Sequence, residues 1–85
     1  FNKDHVGNKY SKILRAMGKN SSVDLADEIE ILNKEIGLPN GLGAMGVTEE
    51  MIPGLVAHSM TDPSNATTPR LPSQDEWEKL FLEAM

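Results

Sequence analysis

An all-α unit of four short helices joined by long loops is predicted by three observations. Apolar residues recur at spacings of three and four in four separate stretches. No stretch shows the strict apolar–polar alternation that a half-buried strand needs. Gly, Pro, Ser and Asp fall between the stretches as stop and start signals.

The first helix rests on Val6, Tyr10, Ile13, Leu14 and Met17, spaced four, three, one and three apart, which places them on one face. Gly18 reads as its C-terminal stop. The second helix begins at Ser21 or Ser22 as N-cap, with Asp24 as an early carboxylate near the positive pole of the helix dipole. Leu25, Ile29, Leu32 and Ile36 form its predicted buried stripe, and Gly37-Leu38-Pro39 ends it. The segment 37–47 carries four glycines interleaved with Leu38, Leu42, Met45 and Val47, so it reads as a structured connection rather than a free linker.

Thr48 is placed to cap the third helix, whose face is Ile52, Leu55, Val56 and Met60. Pro53 in its first turn predicts an irregular start, and Asp62 before Pro63 is pushed out of helical angles. Residues 63–72 then read as an extended loop. The fourth helix has the strongest start signal, Ser73-Gln74-Asp75-Glu76, a capping box followed by a face of Trp77, Leu80, Phe81 and Ala84.

Composition excludes several kinds of chemistry. Eighty-five residues make one domain or less, and without Cys there is no disulfide, thiolate metal site or Cys nucleophile. Cysteine usage fits a reducing compartment, and a cytoplasmic location is expected. No apolar run approaches the roughly 20 residues that span a bilayer. The first residue is Phe1 rather than Met, and Asn2-Lys3-Asp4-His5 after it has no apolar h-region of a secretory signal, so the chain reads as a piece of something longer. Residues 1–19 hold five cations and one carboxylate, whereas residues 20–85 hold three cations and twelve carboxylates. The basic stretch reads as a solvated helix, because Tyr10 alone supplies too little aromatic surface for nucleic acid.

Neither candidate site nor cofactor motif emerges from spacing. His5 and His58 cannot form an i, i+4 metal pair, and Asp27, Glu28, Glu30 and Glu35 fan around their helix without converging. The glycines of 37–47 match neither the dinucleotide fingerprint nor the P-loop, and no Asp-Ser dipeptide marks an acyl-carrier attachment site. Asn20-Ser21-Ser22 and Asn65-Ala66-Thr67 match the glycosylation pattern but read as caps or turns.

Phe1-Asn2, Val6-Gly7, Lys9-Tyr10 and Ala16-Met17-Gly18 are followed by Leu32, Ile36-Gly37-Leu38-Pro39, Gly46-Val47-Thr48, Ile52-Pro53, Asp62 and Thr67-Thr68-Pro69-Arg70. Taken in this order, these residues resemble the C-terminal part of the iron-containing alcohol dehydrogenase family. The resemblance implies a place in the helical metal-binding domain of a dehydroquinate synthase-like fold. The parent enzyme would be a homo-oligomer moving hydride between NAD or NADP and a small alcohol or aldehyde, with Fe(II) as Lewis acid. The dinucleotide-binding domain and the Asp and His ligands would precede Phe1. Residues 1–85 would supply no catalytic group and no metal ligand, and would be inactive alone, with the upstream part of the same enzyme as partner.

In many relatives the residue two places after the Asp is Cys or another small residue, followed by Thr-Asn-Pro-Arg. This chain has Ser64 there, and Thr68 in place of Asn. The resemblance makes Ser64 and Asn65 candidates for lining the substrate or nicotinamide pocket, while the residues alone also read as ordinary turn residues between Pro63 and Pro69. Arg70 is expected to anchor the loop on a helix carboxylate or a carbonyl. The rival reading is a free-standing helical module that binds a partner helix through its Ile/Leu stripes.

About a quarter of the chain lies in the two long loops, and each ordered residue costs about 1.5 kcal/mol of conformational entropy. Isolated residues 1–85 are therefore expected to melt broadly in circular dichroism; a sharp cooperative transition would contradict this.

Overall fold

The computed structural model describes all 85 residues and is entirely helical, with four α-helices and no strand. These are α1 (Lys9–Ala16), α2 (Leu25–Glu35), α3 (Ile52–Met60) and α4 (Gln74–Glu83), with single 3₁₀ turns at Lys3–His5, Gly43–Met45, Glu49–Met51 and Pro63–Thr67. The chain divides into two units, Phe1–Leu38 and Pro39–Met85.

In the first unit α1 packs on α2. The first helix begins at Lys9, so Val6 lies ahead of it; a 3₁₀ turn at Lys3–His5 replaces the predicted first turn. Gly18 adopts φ +73° and completes a Schellman cap, in which Lys19 N–H donates to Leu14 C=O at 2.9 Å and Gly18 N–H to Arg15 C=O at 3.0 Å. The same pairing recurs at the end of α2, where Leu38 N–H donates to Asn33 C=O and Gly37 N–H to Lys34 C=O.

Two expectations fail in this unit. The N-cap of α2 is Asp24, not Ser21 or Ser22: Asn20 Oδ1 accepts both the N–H and the hydroxyl of Ser22, so the chain turns there. Asp24, with extended angles, then accepts from Ala26 N–H at 2.8 Å. The predicted buried stripe of α2 is also largely uncovered, with Leu25 half-buried, Ile29 39%, Leu32 40% and Ile36 62% exposed. Only Leu14 of α1 is buried in this unit.

In the second unit α3 packs on α4, with Ile52 and Val56 buried one turn apart. The rings of Trp77 and Phe81 stack with centroids 6.0 Å apart. The irregular start of α3 is observed: a 3₁₀ turn at Glu49–Met51 leads into the helix, and Pro53 sits where a missing N–H costs little. Thr48 occupies the extended position before that turn without a side-chain cap bond. The Ser73 capping box is present in full.

The glycine-rich segment packs against the end of α4. Leu42 N–H donates to Ala84 C=O at 2.7 Å and Gly43 N–H to the main-chain oxygen of Met85 at 3.0 Å, satisfying carbonyls that a helix end leaves orphaned. A Cβ on Gly41, at φ +96°, would lie 2.6 Å from Met85 O and 2.9 Å from Ala84 O, so no other residue fits without moving the two backbones apart.

A Gly41→Ala substitution in the full-length protein is therefore expected to cost about 1–3 kcal/mol, seen as a lower urea midpoint. An unchanged midpoint would show that this contact contributes nothing to stability.

Candidate functional site

The segment between α3 and α4 carries both candidate residues, Ser64 and Asn65. It is not an extended loop throughout: Pro63–Thr67 form a 3₁₀ helix, and only the chain beyond Thr67 is extended or bent. The cause is Asp62. The following Pro forces it to φ −67°, ψ 126°, out of α3, which makes it an N-cap whose carboxylate reaches forward. Asp62 Oδ1 accepts the Ser64 N–H at 2.8 Å and also the Ser64 hydroxyl. These bonds favour the ionised form and hold the Asp62 pKa below its ordinary value, the Ser64 hydroxyl being the larger cause.

Ser64 is exposed and Asn65 half-buried. Asn65 Nδ2 donates to Ser59 C=O at 2.8 Å, tying the 3₁₀ helix back to α3. At the far end Thr68 Oγ1 donates to Arg70 C=O, and the Arg70 guanidinium pairs with Glu76 in the first turn of α4, as expected of an anchoring arginine. Pro72 between them is buried. The two Glu76 oxygens are divided: Oε1 takes Arg70, while Oε2 accepts the Ser73 N–H at 2.9 Å. The Ser73 N–H is the leading cause of a lowered Glu76 pKa, with the charge of Arg70 adding to it. Both ends of the segment are thus pinned by side chains, and Ser64 stands between the pins.

Sequence reasoning missed the role of Asp62 as the residue that holds Ser64. Its signal was present, since Asp-Pro-Ser places an N-cap residue directly before a proline at the first helical position.

Elsewhere, a cleft of about 380 Å³ in the first unit is lined by Tyr10, Ser11, Ser21 and Ser22, with Lys3 and Asp24 paired across 3.0 Å. Lys19 pairs with Glu28 and Lys34 with Glu30, both at 2.8 Å, so two of the four α2 carboxylates are engaged in ion pairs. His5 and His58 are exposed in different units. No three His, Asp or Glu side chains converge on a point that could hold a metal ion.

Because the folded state lowers the Glu76 pKa, its contribution is fully present above the ordinary glutamate range and is lost as pH falls through the folded value. The melting-temperature gap between full-length wild type and Glu76→Gln is expected to be complete at neutral pH and to close in acid. A gap independent of pH would show that the charge of Glu76 is not what holds the segment.

Comparison with known proteins agrees with the residue pattern. The model of the Fe-containing alcohol dehydrogenase family, C-terminal, matches residues 1–85. The 4-hydroxybutyrate dehydrogenase of Cupriavidus necator is 30% identical over 77 residues, covering 91% of this chain and 20% of the relative. The lactaldehyde reductase of Escherichia coli K12 is 28% identical over 95 aligned positions, covering 99% of this chain and 24% of the relative. The chain thus spans about a fifth to a quarter of the length of these relatives. No solved structure matches it. The chain belongs to the Fe-containing alcohol dehydrogenase family and carries its C-terminal region.

Proposed function

We propose that residues 1–85 are the end of the helical domain of an oxidoreductase that transfers hydride between NAD or NADP and a small alcohol or aldehyde, with iron as Lewis acid. The family match along the entire chain carries this reading. The dinucleotide-binding domain, the iron ligands and the nicotinamide site belong, on this reading, to the polypeptide preceding Phe1. The parent enzyme acts as a homo-oligomer in the cytoplasm, as the resemblance implies.

What these residues contribute is wall and packing. Three apolar side chains are buried, Leu14, Ile52 and Val56, whereas thirteen large ones are exposed, among them Ile31, Leu32, Ile36 and Leu38 in and just after α2 and Met45, Met51 and Leu71 in the second unit. So much apolar surface on so small a chain is suited to burial against further protein, where covering the exposed half of each such side chain stabilises by about 1 kcal/mol. In this arrangement the segment from Asp62 to Arg70 faces an active-site cleft formed with the preceding polypeptide, and Ser64 and Asn65 line the substrate or nicotinamide pocket there. Their task is to bind and orient; no proton or hydride passes through them.

In the full-length enzyme, Ser64→Ala and Asn65→Ala are expected to raise the KM for alcohol or nicotinamide about threefold to tenfold, the worth of one hydrogen bond. Steady-state kinetics with iron loaded would check this, and unchanged constants in both variants would remove the two residues from the pocket.

A further inference from the structure

The bonding of Ser64 has a chemical consequence for what it can recognise. A serine hydroxyl has one donor and two acceptor lone pairs, and its rotor normally turns to suit whichever partner arrives. An ionised aspartate only accepts. Asp62 Oδ1 takes both the amide and the hydroxyl proton of Ser64. The backbone beneath this pair is restrained, because Pro63 holds Asp62 in extended angles and Asn65 ties the next turn to Ser59. The single donor of Ser64 is therefore committed within the chain, while the side chain remains exposed.

We propose that Asp62 is a positioning residue that presents the Ser64 oxygen as a fixed hydrogen-bond acceptor, so that this position selects a ligand group donating an O–H or N–H. The inference rests on the reading that Ser64 lines the cleft. A second hydroxyl on the alcohol substrate and the carboxamide N–H of the nicotinamide offer the same chemistry. Fixing the acceptor in advance removes the entropy of choosing a rotamer at the moment of binding and penalises a ligand lacking the donor.

The test uses the full-length, iron-loaded enzyme and two ratios of kcat/KM. One compares a terminal diol with the mono-alcohol of the same length; the other compares the nicotinamide cofactor with its 3-acetylpyridine analogue, in which a methyl group replaces the amide nitrogen. Wild type is expected to favour the donor-bearing member of one pair by about threefold to tenfold, and the pair that responds identifies the source. Ser64→Ala and Asp62→Ala should each abolish that preference, the double variant should lose no more than either alone, and Asp62→Asn, which keeps a carbonyl acceptor, should retain most of it.

Three outcomes would overturn the inference. If Asp62→Ala slows both members of each pair equally, Asp62 merely holds the backbone. If the preference disappears in Ser64→Ala but survives in Asp62→Ala, Ser64 lines the cleft without being oriented by Asp62. If Ser64→Ala leaves both ratios and all constants unchanged, the pocket reading itself fails.

Discussion

Within residues 39–85 the contact between the glycine-rich segment and the end of α4 constrains everything else. Two main-chain N–H groups, of Leu42 and Gly43, meet the oxygens of Ala84 and Met85 across more than forty residues of sequence. The approach is possible because Gly41 and Gly43 place no Cβ where those oxygens sit. It fixes the C-terminal end of α4 against the chain that precedes α3, and α3 packs on α4. At the other end of α4 the Ser73 capping box sets Glu76 in the first turn, where it anchors the preceding segment.

From Asp62 to Glu76 the chain is held by a relay of side chains rather than by a core. Asp62 caps the 3₁₀ helix, Asn65 returns to α3, Thr68 closes on Arg70, and Arg70 reaches the carboxylate that also completes the Ser73 capping box. Asp62, Ser64 and Ser73 are exposed while Asn65, Thr68, Arg70 and Glu76 are half-buried, so each bond contributes only modestly to global stability. Their value is geometric. They define where one short turn and its exposed Ser64 stand, which apolar packing alone would not specify.

The apolar surface has the same logic at larger scale. The outer stripe of α2 has the regular spacing of a buried helix face, yet Leu32 and Ile36 are open. Helical periodicity records that a face is apolar and does not record what covers it. A chain spanning about a fifth to a quarter of its relatives' length is expected to leave such faces uncovered when it stands by itself.

Local signals determined most of the fold. Gly18 and Gly37 end their helices because only glycine takes the left-handed angles of a Schellman cap cheaply, and Ser73 with Glu76 announces α4 because both partners of the capping box lie within one turn. The family pattern was equally legible, since its residues recur in order along the chain. The folded structure decided what depends on local competition between nearby groups, as at Asn20 and Asp62, or on a tertiary contact across distance, as at Gly41. Asn20 drew Ser22 into a turn and passed the N-cap of α2 to Asp24, Asp62 turned a supposed extended loop into a 3₁₀ helix, and Gly41 was matched to the end of α4. Spacing along the chain reports which side of an element a residue occupies. Which of several nearby acceptors wins a given N–H or O–H is set by three-dimensional reach.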